Sequence, residues 1–413
     1  MRPSSRTLST AIAGLLLAAS QAQAANVEFQ NFFFDVCLTP AGTLAARCAE
    51  TPGATGNVSG DSESSLNPSQ NLSHNQPAIS VAQTRSKEAR ERGEKLRDGD
   101  PEESGAQVEV GPFSLLVNLH GTWFDRDADP AVAAERGFEG DSQAAEIGLD
   151  YRVSDRAVIG AIAGVERMDY DFDTEAAGVN FVPAENAGEA DSDNIYLTLF
   201  ASWNVGETGY VELSGGYEQS DGSYRRNSVF QESTRTLPQT NVEVEGDADG
   251  DVTWFSANAG FDINRGAWNF GPYAGLTQTN SKVKGYTEQD LSGSGLNMRY
   301  SSTKRDSLLG HLGFRTSYAA SAGGGVVVPQ LRLEYQKEFE DDAQDVTAQY
   351  VLDTTGNQYT MSGDSGDKNS LNAGFSLAII RPNGWMGFFD YSILLENKGL
   401  DRQRATLGLR VEF

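Results

Sequence analysis

Long apolar runs are scarce in this chain. Mean hydropathy is -0.43, and no stretch approaches the roughly 18 apolar residues that a membrane-spanning helix needs. A helical membrane protein is therefore excluded. Histidine is also scarce, with only three residues, His74, His120 and His311, and no H-E-x-x-H pair. G-x-S-x-G and P-loop patterns do not occur either. Basic residues are outnumbered: 32 Lys and Arg face 58 Asp and Glu, for a formal charge of -26. Such a surface repels phosphate backbones, so nucleic acid is not expected as a partner. Cysteine is limited to Cys37 and Cys48. Two thiols with no neighbouring His make a poor zinc site, and a close pair in an oxidising compartment is read as a disulfide. No metal and no cofactor is expected.

The chain opens with the one helical apolar run, "AIAGLLLAAS" from Ala11 to Ser20. Arg2 and Arg6 precede it and Ala22-Gln23-Ala24 follows. A basic start, a short apolar middle and an A-x-A end read as a secretory signal peptide over residues 1–24, cleaved after Ala24. Its loss makes the chain two units more negative.

Three zones follow. Residues 25–76 are rich in Asn, Ser, Gly and Thr, apart from "FQNFFFDVC". Composition predicts a short, flexible segment stapled by Cys37–Cys48, without the apolar periodicity of a β-helix or a folded enzyme. Residues 77–99 hold the one convincing helix of the mature chain, "AISVAQTRSKEARERGEKLRD" from Ala78 to Asp98. Asn75 or Gln76 caps it, Pro77 lies in its first turn, and Gly93 weakens it. Lys87 and Glu91, Glu88 and Arg92, and Glu91 and Lys95 pair at i,i+4. The helix has almost no apolar face, and Arg85, Lys87, Arg90, Arg92, Lys95 and Arg97 make it net positive. A hydrophobic core cannot receive it.

From about Val108 to Phe413 the period changes from helical spacing to two. "AEIGLDYRV" puts Ile147, Leu149, Tyr151 and Val153 opposite Gly148, Asp150 and Arg152. "FSANAGFDI", "LNAGFSLAI" and "WMGFFDYSILL" repeat the pattern. About twelve such segments are counted, beginning near Phe113, Ala145, Ala157, Asp193, Gly209, Thr253, Trp268, Ser307, Val326, Asn369, Trp385 and Gln403. Several are near the roughly 9–11 residues a strand needs to cross a bilayer. The connections alternate between short ("SDR", "VGETG", "NRG", "SAGGG", "PNG") and long. Short periplasmic turns and long outer loops are the habit of outer-membrane barrels, so an all-β antiparallel transmembrane barrel is expected over 108–413. A polar helix about 31 Å long, at 1.5 Å per residue, suits the lumen of such a barrel, facing Glu212, Glu334, Asp262 and Asp390. Closure also removes exposed sheet edges. The chain ends on "RATLGLRVEF", with Leu407, Leu409 and Val411 alternating towards Phe413. That terminus resembles the signal read by the barrel-assembly machinery in outer-membrane proteins.

"EIGLDYRVSDRAVIGAIAGVERMDYDF", "SLLGHLGFRTSYAASAGGGVVVPQLRLEYQKEFEDD", "LNAGFSLAI" and "LGLRVEF" together resemble the autotransporter (type V secretion) β-domain. The resemblance covers about 108–413. It implies a twelve-strand barrel threaded by a helix that leads outward to a passenger. It also implies outer-membrane lipid, the barrel-assembly machinery and periplasmic chaperones as partners, in the envelope of a Gram-negative cell. The chain departs from the family at its front, because 25–76 is short for a passenger. No Asn-Asn pair lies near the helix, so intra-barrel self-cleavage is not expected. The function expected is a translocator that presents or exports a short N-terminal segment, without enzymatic activity. The alternative is an outer-membrane pore or ligand-binding barrel plugged by that segment. A third reading, a membrane-embedded hydrolase, rests on His311, which shares a face with Arg315 and Ser317; a lumen-lining His is preferred, since Ser317 lies about 20 Å along the strand. The acidic run Glu245 to Asp251, "EGDADGD", is read as a solvated loop, with weak divalent-cation binding as the lesser option.

Overall fold

The computed structural model describes residues 27–73, 75–97, 112–127, 135–340, 344–363, 368–395 and 400–412, with backbone alone at 75–76 and 94–97. The signal-peptide reading, His74 and the terminal Phe413 lie outside the described residues, as do the side chains of Lys95 and Arg97.

Twelve antiparallel strands close on themselves. They are β1 (Phe113–Arg126), β2 (Phe138–Ser154), β3 (Ala157–Phe172), β4 (Gly188–Val205), β5 (Gly209–Phe230) and β6 (Thr240–Phe261), then β7 (Trp268–Val283), β8 (Thr303–Tyr318), β9 (Gly325–Glu338), β10 (Asn369–Ile380), β11 (Trp385–Leu395) and β12 (Asp401–Glu412). Each pairs with its sequence neighbour, and β12 returns to β1 in the register Ser114↔Glu412 through Asp125↔Asp401. No strand edge is left along the wall, as a hydrocarbon environment demands.

Period two produces an inside-out distribution. Along β1 the outward residues Leu115, Val117 and Leu119 are exposed, while inward Ser114, Asn118 and His120 are buried. On β12, Leu407 is 60% and Leu409 44% exposed, whereas Arg404, Thr406 and Arg410 are buried. A water-soluble sheet would reverse these faces, so the exposed apolar band marks contact with lipid. Aromatic side chains stand beside the short turns: Phe113 against Tyr151 at 5.0 Å and Trp268 against Tyr318 at 4.9 Å. Amphipathic rings favour the membrane–water interface. The short turns use left-handed backbone, as at Gly266 (φ 61°) and Gly384 (φ 79°), where a side chain would be strained.

Strand starts agree closely with the periodicity at the short-turn ends and at β10, and depart at several other long-loop ends. β2, β4 and β6 begin at Phe138, Gly188 and Thr240, several residues before the expected Ala145, Asp193 and Thr253. β5 and β6 each run 22 residues, far past the span of a bilayer. The expected acidic loop Glu245 to Asp251 is strand. There Asp247 and Asp249 point to water while Val244, Gly246, Ala248 and Gly250 are buried. Beyond the membrane the outward face meets water, so charge replaces Leu and Phe and the lipid pattern disappears.

The N-terminal zone also departs from expectation. Residues 27–73 form four α-helices, α1 (Val27–Val36), α2 (Gly42–Glu50), α3 (Gly60–Leu66) and α4 (Gln70–Ser73), with a short 3-10 turn at Pro52–Ala54. They share a core with the long loops. Phe29, Phe32, Phe33, Val36, Leu44, Leu66 and Leu72 pack with Phe230, Val242, Met298, Tyr350 and Tyr359. Part of the loop side is a three-stranded sheet of Met298–Tyr300, Asp345–Tyr350 and Tyr359–Ser362. The segment looks like a linker because it holds only half of a core; the barrel's loops hold the rest.

The lumen as candidate functional site

α5 (Asn75–Arg97) runs through the barrel. Its N-terminal half meets the long-loop end: Arg402 Nη1 donates to the Ser80 carbonyl at 2.8 Å. Its C-terminal half meets the short-turn end, where Arg92 Nε donates to Asp150 Oδ1 at 2.7 Å. The chain therefore lies at the long-loop mouth as α1–α4 and crosses the lumen as α5 to the short-turn end, where β1 also begins.

Each basic residue of α5 whose side chain is described has partners on the wall. Arg85 is buried between Glu166 of β3 and Glu218 of β5, with its guanidinium 3.6 Å from the Tyr196 ring centroid. Lys87 Nζ donates to Asn372 Oδ1 at 3.1 Å. Arg90 Nη2 donates to Glu334 Oε2 at 2.7 Å, Arg90 Nη1 lies 2.9 Å from His311 Nε2, and the guanidinium sits over Tyr273. Arg92 grips both oxygens of Asp150, which also accepts from Ser114 Oγ at 2.7 Å. The acids of α5 find wall arginines in turn: Glu88 meets Arg404 of β12 and Glu91 meets Arg332 of β9.

These contacts have a direction. Acidic side chains of β2 to β5, from Glu146 to Glu218, form one arc of the wall, and Arg315, Arg332, Arg402, Arg404 and Arg410 lie on β8, β9 and β12. Arg85 and Arg92 turn to the first arc and Glu88 and Glu91 to the second, while Arg90 reaches Glu334, an acid on the same strand as Arg332. The helix is thus fixed in rotation as well as depth. Charges taken from water cost several kcal/mol each unless paired, so a helix turned about its axis would leave both arcs unmatched. Small residues allow the close approach. Ala82 and Ala89 are buried, and a Cβ at Gly93 would meet Glu212 Oε1 and lie 3.2 Å from Ser202 Cβ.

Of the acids expected to face the helix, Glu334 contacts it directly. Asp262 instead pairs with Arg315, Asp390 lies 3.7 Å from Arg332, and Glu212 borders Gly93. Asp150, Glu166 and Glu218 are helix partners that sequence reasoning missed, although all three occupy polar faces of strands that alternation identifies. His311 Nε2 also lies 2.7 Å from Asn258 Oδ1, while Ser307 Oγ donates to Glu338 Oε2 at 2.6 Å. His311 therefore lines the lumen among polar partners, and Ser307 is committed elsewhere. Leu407 and Leu409 face lipid on β12, and Val411 is half-buried beside them.

Cys37 and Cys48 form a disulfide, Cα–Cα 5.5 Å, joining α1 to α2 within the cap. Gly56 lies close against Cys37 and the Phe33 carbonyl.

A closed barrel with an apolar belt, a filled polar lumen and one charged helix along its axis defines an outer-membrane translocator barrel. Residues 115–392 match the family described as Autotransporter beta-domain, which is more than half of the chain. The chain belongs to that family, and its place is the outer membrane. The fold is similar to the translocator domain of the autotransporter NalP from Neisseria meningitidis, with a TM-score of 0.53 at 16% identity over 81% of this chain and 98% of that one. It is also similar to the β domain of the Bordetella autotransporter BrkA (TM-score 0.48, 13% identity, 73% and 100% covered). The transport unit of AIDA-I from Escherichia coli matches at TM-score 0.46 and 11% identity, with 73% and 90% covered. No curated protein matches this sequence.

Proposed function

We propose that this barrel carries its own N-terminal segment to the cell surface and keeps it there as a folded cap, with α5 remaining in the lumen. The observation that carries this reading is the shared core. Phe32 stacks on Tyr350 at 5.6 Å and Phe33 lies 6.3 Å from Phe230, so a cap residue and a loop residue meet at each contact. Backbone bonds join the same parts, Ser59 N to the Gln231 carbonyl at 2.9 Å and Ala41 N to the Leu352 carbonyl at 2.9 Å. A passenger built this way is presented without being released, because half of its core belongs to the barrel. On this reading residues 1–24 direct export and are removed, and periplasmic chaperones deliver the chain. The assembly machinery then reads Leu407, Leu409, Val411 and Phe413. The barrel performs no bond-making chemistry.

The test is surface labelling in intact cells of a tag placed after Ala25, with a matched tag in the Glu340–Asp345 loop as positive control. Labelling of both tags is expected. Labelling of the loop tag alone would overturn the reading in favour of a periplasmic plug.

A further inference from the structure

One cluster in the lumen does more than the surrounding ion pairs require. Glu88 projects from α5, His120 from β1 and Glu146 from β2, and one oxygen of each carboxylate and one ring nitrogen lie within 4.8 Å of one another. His120 Nδ1 is 2.9 Å from Thr406 Oγ1 and 3.2 Å from Glu88 Oε1. His120 Nε2 is 2.8 Å from Glu146 Oε2. In the tautomer that has Nδ1 donating to Thr406, Nε2 presents a lone pair to a carboxylate oxygen. In that tautomer the two atoms repel at this distance unless both hold one cation as neighbouring ligands.

A second, independent observation concerns Asn118, next in line on the inward face of β1 and only 5% exposed. Its Nδ2 donates to Glu146 Oε2 at 3.1 Å, but its Oδ1 has no donor among the described residues. Glu88 Oε2 is likewise without a hydrogen-bond donor among them, because Arg404 binds the other oxygen. Buried acceptors in native proteins are almost always satisfied, so several orphaned acceptors around one small cavity need a common explanation. Glu88, Asn118 and His120 all line that cavity, between α5 and the wall of β1, β11 and β12.

We propose that Glu88, His120 and Glu146 bind one divalent transition-metal ion, which clasps the lumen helix to the barrel wall. The donor set, one imidazole and two carboxylates, suits zinc and its neighbours in the first row better than calcium or magnesium, which take oxygen alone. The surroundings supply what such ligands need. Thr406 Oγ1 hydrogen-bonds Nδ1 and orients the ring, and Tyr196 donates its hydroxyl to Glu146 Oε1 at 2.8 Å. Because one ligand is on α5 and two are on the wall, the metal would act on helix retention.

The test uses the full chain, folded in detergent, stripped with chelator and titrated with cobalt(II), whose visible absorption reports coordination. One cobalt per chain is expected, with a higher unfolding temperature than the stripped protein and fewer channel openings in planar bilayers. Glu88→Gln keeps the shape of the side chain and the contact to Arg404, and is expected to weaken binding at least tenfold. His120→Ala is expected to abolish it; heat-modifiable gel mobility confirms that each variant folds. No cobalt spectrum in the stripped wild type, or a spectrum unchanged in both variants, would overturn the proposal. In the first case the close nitrogen and oxygen share a proton instead.

Discussion

Arg85 shows how a lumen differs from a hydrophobic core at the level of single residues. It is flanked by two carboxylates and an aromatic face, and all of these are buried. Removing one partner of a buried charge cluster costs more than the pair itself contributes, about 3–5 kcal/mol, because the remaining charges stay desolvated. Arg85→Met is therefore predicted to lower stability by that amount in urea unfolding from lipid vesicles. Adding Glu166→Gln and Glu218→Gln to Arg85→Met is predicted to recover most of the loss. Gly93 carries a related lesson. A glycine within a helix costs about 1 kcal/mol relative to Ala, and sequence reasoning counts it as a weakness. In the structure it lies against Glu212 and Ser202, where a methyl group would have to push the Glu212 carboxylate aside.

Outside the membrane, Glu232 in the loop between β5 and β6 makes a pH-dependent contact. Burial works against its charge, yet the Thr234 hydroxyl and the backbone N–H groups of Leu237, Thr236 and Thr234 hold it down to about 2. A depressed carboxyl contributes stability above its ordinary value near 4.5. That contribution is lost as pH falls from there through about 2. Protease sensitivity of the 232–239 loop is predicted to rise across this acid window in the wild type. In Glu232→Gln it should be raised already at neutral pH and change little on acidification.

At the scale of elements, legibility followed environment. The lipid-facing strands and their short turns could be read from residues such as Ile147 and Leu149 of β2, because one face meets hydrocarbon and the other does not. α5 could be placed in the lumen because its charge leaves no other home. Its individual partners could not be read, since register across a barrel is set by closure and not by local pattern. The cap was hidden for a different reason: beyond the Phe29–Val36 cluster its apolar residues are thinly spread, as Leu44, Val58, Leu66 and Leu72, and make a core only when Met298, Val346 and Tyr350 are brought beside them. The disulfide belongs to this scale. Closing so short a loop is worth about 3 kcal/mol in the chain-entropy model. Replacing Cys37 and Cys48 by Ser is predicted to loosen α1 and α2, seen as faster amide exchange there, while barrel mobility on gels is unchanged.

For the whole molecule, one chain supplies wall, stopper and lid. Ion pairs to several strands hold α5 in a single rotational setting, and α1–α4 cover the mouth above it. Deleting residues 25–98 is predicted to leave a folded barrel of high conductance, whereas the intact chain conducts little; equal conductance would contradict a lumen filled by α5. On the proposed function, the cap is outside and seated on the loops at once. The most direct measurement exploits Arg235, whose guanidinium pairs with Asp61 of α3 across the cap–loop boundary. Asp61→Cys and Arg235→Cys are introduced together, and intact cells are treated with a short, membrane-impermeant bismaleimide. An intramolecular cross-link is expected on intact cells and in neither single variant. A cross-link that forms only after the cells are broken, or not at all, would contradict it.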